Sequence, residues 1–276
     1  MSEVKVSTAD IQKLREMTGA GMMDCKKALA EANGDFQEAI DLLRKKGIAK
    51  AAKREDREAR EGVVVALASP DQKRGIIIAL QCETDFVARN EGYIAIARKM
   101  AEIALNKFPA TLEELLNQPY ENGISIREKV GEQNGVIGEK IELGRYERLE
   151  GESIVTYNHS NNKRSVILAL NKPGFDEAGR NLAMQVAALS PVSVSKDDVA
   201  PEIIQKEIEI GKELARNEGK PEAMLEKIAL GRLNKFFQEN TLLGQSYVKD
   251  QSQSVEQYLK SLDKDLTVTG FKLVAL

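Results

Sequence analysis

The sequence predicts an α+β protein, and three observations lead to that prediction. A β-rich hairpin pattern occurs twice, ninety positions apart, and an alanine-rich helical segment follows each copy. Three short amphipathic helices precede the hairpins, and a charged helical hairpin lies near the carboxyl end. Strands and helices in this order are typical of an α+β fold and differ from the strict alternation of a parallel α/β sheet.

The first segment, residues 1–47, predicts a compact three-helix unit. Its helical stripes are broken at residues 18–21, which read Thr-Gly-Ala-Gly, and at Asn33-Gly34, and Gly47 is expected to end the third helix. Residues 48–60 are basic and rich in alanine. That stretch is interpreted either as a solvated helical linker or as a phosphate-binding patch.

The central segment contains an internal duplication. Residues 73–80 match residues 163–170, and each copy lies between another β-rich run and an alanine-rich helix. The shared order of elements favours duplication over chance similarity. The sequence therefore predicts two related core subdomains that pack side by side, residues 61–145 and residues 146–276, the second ending in a short helix and a strand.

An antiparallel helical hairpin is predicted at residues 201–240, inside the second subdomain. Ile203, Ile210 and Leu214 recur at roughly heptad spacing, and Gly219-Lys220-Pro221 turns the chain. Charged residues fill the other positions, as on a coiled coil. Such a hairpin either joins two copies of the chain in a homodimer or packs back on its own domain.

The composition argues against several kinds of chemistry. The chain has one histidine, His159, and two distant cysteines, Cys25 and Cys82. A structural zinc site needs about four Cys or His ligands at short spacings, so neither a metal site nor a cofactor is expected. His159 lies beside a predicted hairpin turn, without Ser or Cys at motif spacing, and is interpreted as a surface or contact residue. No catalytic residue is predicted, and a carboxylate-dependent enzyme is the least favoured alternative.

Charge and hydropathy bear on partners and location. The 40 Lys and Arg residues nearly balance 43 Asp and Glu, for a net charge of −3, which argues against a dedicated nucleic-acid binder. The longest apolar run, residues 75–80, is far below the roughly 18 residues of a membrane helix, so no membrane association is expected. Residues 1–5 lack the apolar stretch of a signal peptide. Two distant cysteines fit a reducing compartment, and a cytoplasmic location is expected.

Met22 and Met23 stand at the predicted start of the second helix, directly after Gly19-Ala20-Gly21. A unit of under 50 residues has a small core, and at most one of these flexible apolar side chains fits comfortably against it. Either the other methionine serves a partner surface, or both are partly buried.

Residues 84–87, here called the 84–87 loop, follow the first long strand, where the second copy has a plain turn. In one interpretation Phe86 and Val87 begin the core face of the next helix, with Thr84 as its N-cap. In the other, Phe86 is an aromatic wedge that is presented, with the adjacent carboxylate of Asp85, to another macromolecule.

At these residues the sequence resembles the bacterial elongation factor Ts family. Residues 14–29 resemble one family signature and residues 84–87 a second, while residues 231–236 and 243–245 resemble the family's helical hairpin and the segment after it. The match covers essentially the whole chain in order. The sequence departs from the usual pattern at Lys140, Gly144, Gln185 and the tail after Phe271.

The resemblance implies a guanine-nucleotide exchange factor for elongation factor Tu, without bond chemistry of its own. Residues 1–47 would form a ubiquitin-associated-like domain that docks on the nucleotide domain of this GTPase. The 84–87 loop would intrude near its Mg²⁺ site, through Thr84, Asp85, Phe86 and Val87. The contact residues implied for the first unit are Arg15, Thr18, Gly19, Ala20, Gly21, Met22 and Met23, and those implied for the second subdomain are His159 and Gln185.

A rival hypothesis from another class is an RNA-binding translation accessory that uses the basic residues 44–60. Such a protein would show a steep dependence of RNA affinity on salt. The acidic total and the scarcity of exposed-looking aromatic residues count against it. Direct binding of nucleic acid is therefore not expected.

Overall fold

The computed structural model describes residues 6–52, 54 and 56–276. The expectation for residues 1–5, and Lys53 and Glu55 of the predicted linker, lie outside the described residues. The helices are α1 (Thr8–Thr18), α2 (Met22–Glu31), α3 (Phe36–Ala52), α4 (Asp85–Ala88), α5 (Glu91–Lys107), α6 (Leu112–Leu116), α7 (Ile126–Ile137), α8 (Asp176–Leu189), α9 (Pro201–Asn217), α10 (Glu222–Asn240) and α11 (Val255–Leu262). The strands are β1 (Glu61–Ala68), β2 (Arg74–Cys82), β3 (Pro119–Glu121), β4 (Ile124–Ser125), β5 (Glu142–Glu150), β6 (Ser153–Asn158), β7 (Arg164–Leu170), β8 (Ser246–Tyr247), β9 (Asp250–Ser254) and β10 (Val268–Ala275).

This mixture of helices with small antiparallel sheets confirms the predicted α+β class. The centre consists of two three-stranded sheets with the strand orders β1-β2-β5 and β10-β7-β6. Each sheet contains one of the two predicted hairpins, β1–β2 or β6–β7, and a helix follows each hairpin, α5 after the first and α8 after the second. None of the described helices is both long enough and apolar enough to cross a membrane.

The two sheets pack face to face, and each carries its helix on the outer face. α5 covers the first sheet and α8 the second, so the layers run helix, sheet, sheet, helix. A Cβ added at Gly75 would lie 2.7 Å from Cγ2 of Ile154, so the sheets approach closely at this point. The side chains between the sheets are Val64, Ala66, Ile77, Ala79, Ile154, Ile167, Ala169 and Val274.

The first three helices enclose a small core of their own, built on residues such as Leu14, Cys25 and Leu29. The prediction that Gly47 ends the third helix is wrong, because α3 continues through it to Ala52. Gly47 instead lies against α7, where an added Cβ would stand 2.6 Å from the carbonyl oxygen of Gly131. The expected boundary between residues 47 and 48 therefore falls inside a helix, and the glycine permits a close helix crossing.

Gly47→Ala should lower the free energy of unfolding by about 1 to 2 kcal/mol, because the new methyl group forces α3 away from α7. Gly231→Ala is the matched control, since Gly231 also lies inside a helix but nothing comes within 4 Å of its added Cβ. That variant should gain about 0.5 to 1 kcal/mol from helix propensity. Urea unfolding followed by circular dichroism measures both values. Equal shifts of the same sign would contradict the close-crossing interpretation.

The region between the two hairpins contains elements that the sequence analysis did not assign, namely α6, β3, β4 and α7. The expected boundary between the two core subdomains, at residues 145 and 146, also needs correction, because it falls inside β5. This strand is continuous, since it pairs along β2 from Arg74↔Glu150 to Gln81↔Glu142. β5 is half exposed and rich in charged residues, so it lacks the apolar run that marks the other strands.

α9 and α10 pack against each other over residues 201–240, and the expected seam between them needs a correction. Ile210 and Leu214 are 39% and 44% exposed, so they do not form it. The seam runs through Gly211 and Ala215, which are buried, and an added Cβ at Gly211 would lie 3.1 Å from Cα of Ala229. Small residues of α9 let the helices approach, and Ile210 and Leu214 lie on the flank.

Candidate functional site

The 84–87 loop leaves the end of β2 and forms α4, a helix of a single turn. Phe86 is 83% exposed, whereas Val87 packs against the core of the first sheet and Ala88 is buried. The interpretation that both Phe86 and Val87 begin a core face is therefore wrong for Phe86. Consecutive residues of a helix point about 100° apart, so one turn directs Val87 inward and Phe86 outward.

Asp85 and Arg89 flank the exposed ring. The two side chains form an ion pair with an Nη2 to Oδ2 distance of 2.9 Å, and they are 40% and 81% exposed. An ion pair this exposed contributes little to stability and is readily exchanged for another partner. An accessible carboxylate and an accessible aromatic ring thus occupy consecutive positions of this turn.

Thr84 lies at the N-cap position of α4 but does not cap it with its side chain. Its hydroxyl donates instead to Oε1 of Glu139 at 2.6 Å, and its amide donates to Oε2 of the same residue at 3.0 Å. The predicted capping role of Thr84 is corrected accordingly. The loop is held from a distant part of the chain, and its hydroxyl is directed toward the protein.

The methionines of the first unit are on its surface. Met22 is 49% exposed and Met23 64% exposed, and neighbouring Met17 is 57% exposed. Neither Met22 nor Met23 belongs to the core of the first unit, and about half or more of each residue is exposed. The inner face of α2 is occupied by Cys25 and Leu29, together with Ala28.

The turn between α1 and α2 supplies the other residues predicted to contact a partner. Gly19 closes α1 in the left-handed conformation, with φ 68°, and its amide donates to the carbonyl oxygen of Arg15 at 2.7 Å. The hydroxyl of Thr18 donates to the carbonyl oxygen of Leu14, so it faces inward. Of the predicted contact residues, Ala20 is buried, Thr18 is half-buried, and Arg15, Gly19, Gly21, Met22 and Met23 are exposed.

α7 lies next to both candidate segments. An added Cβ at Gly19 would stand 3.3 Å from Cγ1 of Val136 near the end of α7, and Glu139 follows that helix directly. A cleft of about 340 Å³ lies beside this crossing, and its lining includes Met17 of α1, Tyr120 of β3 and Val136 of α7. The turn between α1 and α2 and the 84–87 loop are therefore both supported by one helix and the residues that follow it.

The two residues predicted in the second subdomain differ in accessibility. His159 is exposed, and its Nδ1 lies 2.7 Å from the hydroxyl of Tyr157. Gln185 is only 1% exposed, its amide nitrogen donates to the carbonyl oxygen of Ser246, and its Oε1 accepts from the amide of Val248. The expectation that Gln185 contacts a partner directly is corrected, because its polar groups are used inside the fold.

Three of the described basic residues in the stretch 44–60 are engaged with the protein itself. Arg44 pairs with Glu132 at 2.8 Å, and Arg57 pairs with Glu83 at 3.1 Å. Arg54 donates to two backbone carbonyl oxygens of the α7 region. Cations that are already paired present a weak patch for phosphates, so these contacts count against the RNA-binding hypothesis.

The two thiols are not poised for nucleophilic chemistry. Burial raises the pKa of Cys25 above its ordinary value and that of Cys82 to about 11. Both side chains are therefore neutral near pH 7, and the thiolate is the reactive form. Within the part of the chain that the structure describes, no group of three or more His, Cys, Asp and Glu residues is arranged to hold a metal ion.

Comparison with known proteins identifies the family. The sequence profile described as Elongation factor TS matches residues 83–276. Proteins named Elongation factor Ts from Christiangramia forsetii and Flavobacterium psychrophilum are 51% and 50% identical to this chain, over 99% and 98% of both chains. The protein of the same name from Chlorobaculum tepidum is 45% identical over 97% of both chains. With a profile match over most of its length and full-length relatives at this identity, the chain belongs to the elongation factor Ts family.

Proposed function

We propose that this protein is a guanine-nucleotide exchange factor of translation elongation, which binds elongation factor Tu with GDP and promotes GDP release and GTP reloading. Membership of the family supports this function. The observation that carries it is the pair Asp85 and Phe86, which is presented outward on a loop anchored at its base. The protein acts by contact, and we expect it in the cytoplasm, where elongation takes place.

The physical basis is the linkage between two ligands of one GTPase. The GTPase holds GDP through backbone groups around the phosphates and through Mg²⁺. A factor that favours a conformation with disturbed Mg²⁺ and phosphate contacts lowers the affinity for GDP, and GDP lowers the affinity for the factor equally. A weakening of about 4 kcal/mol corresponds to roughly a thousandfold in affinity. GTP entry then expels the factor, so that it works in cycles.

The roles of the residues follow from their chemistry. Phe86 supplies a rigid apolar side chain suited to wedging into the partner, and the charge of Asp85 disturbs the ion's water shell or its protein ligands. The first unit docks as a ubiquitin-associated-like domain through the exposed part of residues 15–23. His159 contributes a contact from the second subdomain. The α9–α10 hairpin is coiled-coil-like, and it offers a surface for a homodimer.

The domain division that we propose keeps four parts and moves two boundaries to the ends of observed elements. The docking unit extends to Ala52, and a linker leads to β1. The first core subdomain extends through Glu150, the last residue of β5. The second core subdomain occupies the remainder and contains the helical hairpin of residues 201–240.

Release of fluorescently labelled GDP from purified elongation factor Tu tests the proposed function. The protein at micromolar concentration should accelerate release strongly, and excess GTP should restore the partner to its nucleotide-bound form. Absence of any acceleration would overturn the proposal. Steep salt-dependent binding to RNA, with no effect on GDP release, would favour the RNA-binding alternative.

The double variant Met22→Ala, Met23→Ala should weaken docking without changing the exchange step. We expect the concentration of factor at half-maximal rate to rise about tenfold or more, because two exposed apolar anchors are lost, with little change in the maximal rate. Leu262→Ala is the control, since Leu262 is similarly exposed, at 45%, but lies at the end of α11. A lowered maximal rate with unchanged half-saturation would contradict a pure docking role.

A further inference from the structure

Two glutamates hold the base of the 84–87 loop from opposite directions. The carboxylate of Glu139 accepts hydrogen bonds from the amides of Glu83 and Thr84, at 3.1 and 3.0 Å, and from the hydroxyl of Thr84 at 2.6 Å. The carboxylate of Glu83 in turn accepts from the amide of Lys140. Hydrogen bonds to a charged acceptor are stronger than neutral ones, so this reciprocal arrangement, here called the glutamate clamp, is a firm attachment.

Two guanidinium groups and a buried amide reinforce the clamp. Arg57 pairs with Glu83, and Arg54 donates to the carbonyl oxygens of Asn134 and Glu139 at 2.8 and 3.1 Å. The Asn134 side chain, 1% exposed, accepts from the amide of Ile141 and donates to its carbonyl oxygen. The backbone that carries Glu139 is therefore itself fixed to α7.

The charge state of the clamp agrees with its geometry. The hydrogen bond from the Lys140 amide, together with the Arg57 guanidinium, holds the pKa of Glu83 below its usual value. Because the pKa is lowered in the folded state, the stabilisation is fully present when the pH is above 4.5, the ordinary pKa of the group. It is lost as the pH falls through the lowered pKa. At neutral pH this carboxylate is charged, and its contribution to the clamp is complete.

The clamp belongs to the copy of the duplicated hairpin that displays the aromatic residue. In the second copy, β7 leads into Asn171, whose side chain bonds to the backbone of residues 265 and 267, more than 90 positions away. In the first copy, Thr84 is anchored to Glu139 from 55 positions away, and two residues later Phe86 is exposed. An elaborate anchor directly before an exposed ring indicates that the ring's orientation matters.

We infer that Glu139 is a positioning residue, which presets the 84–87 loop so that Asp85 and Phe86 meet the partner in a fixed orientation. This inference rests on the proposed exchange function. Thr84 then acts through Glu139 and does not touch the partner with its hydroxyl. A loop that is already ordered loses less conformational entropy on insertion, so the anchor increases the rate of exchange at saturating factor.

The first test concerns the isolated protein and needs no partner. Amide hydrogen exchange at Glu83 and Thr84 should accelerate by about tenfold or more in Glu139→Ala, because both amides lose a charged acceptor. Glu139→Gln, which keeps the size of the side chain, should give a smaller change. Glu102→Gln is the control, exposed on α5 about three turns beyond the loop, and should leave these amides unchanged. Unchanged exchange at both amides in Glu139→Ala would overturn the clamp.

The second test measures GDP release from elongation factor Tu at saturating factor. The maximal rate should fall about tenfold in Glu139→Ala and severalfold in Thr84→Val, whereas Thr84→Ser should retain nearly the full rate. In the presence of Glu139→Ala, the change Thr84→Val should have no further effect, because the hydroxyl has lost its acceptor. Additive effects of the two changes would mean that Thr84 touches the partner, and would overturn the inference.

The two tests separate failure of this inference from failure of the proposed function. Faster amide exchange with an unchanged maximal rate of GDP release would overturn the positioning role of Glu139 while the exchange function stands. An inactive wild-type protein would overturn the exchange function, and the positioning role with it, whatever the amide measurements show. If circular dichroism shows that Glu139→Ala does not fold, both tests are made with Glu139→Gln instead.

Discussion

Phe86→Ala should slow the catalysed release of GDP from elongation factor Tu by about thirtyfold or more at saturating factor, while the affinity of the complex changes by less than about threefold. The difference between the two effects is the signature of a wedge. Removing a side chain that contributes only when the nucleotide site is distorted lowers the rate of that step and leaves docking intact. The proposed docking residues, including Met22 and Met23, are unchanged in the variant.

Asp85→Ala should also lower the exchange rate, because this variant lacks the charge that is proposed to act on the Mg²⁺ site of the partner. Phe86→Leu is the matched comparison, since it keeps apolar bulk without a rigid ring, and its rate should lie between those of wild type and Phe86→Ala. Stopped-flow release of labelled GDP gives the rates, and titration of the complex gives the affinities. Wild-type rates in both Phe86→Ala and Asp85→Ala would contradict the wedge.

Phe86→Ala should leave the fold undisturbed, so that a change in its exchange rate can be assigned to the lost ring. Phe86 is 83% exposed, so its removal leaves no cavity and exposes no buried polar group. The free energy of unfolding of Phe86→Ala should therefore stay within about 0.5 kcal/mol of the wild-type value. A larger loss of stability would place the ring in a packing role.

Ile77→Ala should lower the free energy of unfolding by about 3 to 4 kcal/mol, the largest effect on stability that we expect of one substitution. Ile77 is fully buried in the layer between the two sheets, where it faces side chains of the second copy. Removing three carbon atoms there leaves a cavity. The two hydrogen-bonded sheets can relax into this cavity only partially.

Ile210→Ala is the matched control for this prediction, because the same residue type is exchanged on the flank of α9 at 39% exposure. Its effect should stay under about 1 kcal/mol. Denaturant unfolding monitored by circular dichroism compares the two variants. Similar losses for both would mean that the sheet–sheet layer is not the main apolar core joining the duplicated halves.

Much of the core could be predicted from local pattern. The two hairpins and the helices after them follow from apolar runs, turn residues and alanine-rich segments, which act over a few positions. β5 could not be predicted in this way, because its pairing with β2 stabilises a strand of mixed and charged residues. From sequence, Gly47 is also expected to end a helix. In the structure it lies inside α3, and the close approach of α7 accounts for the glycine.

The candidate site likewise contains residues that could be predicted from the sequence and residues that could not. Phe86 and the methionines could be singled out from sequence, but their exposure depends on which neighbours fill the core. Gln185 could not be recognised as internal, because the segment that covers it, residues 245–248, is about 60 positions away. Glu139 carries no local signal of its role, since its partners precede it by 55 and 56 positions.

The amino-acid sequence by itself determined the α+β class, the duplicated hairpins, the unusual segment at residues 84–87 and the family, because these depend on short-range patterns and on residue identity. The tertiary structure decided the remainder. Residues 76–80 are buried on both faces of their strand, since α5 covers one face and the second sheet the other. Phe86 points outward because Val87, the next residue of the same turn, packs against the core. Long-range contacts of this kind exist only once the chain has folded.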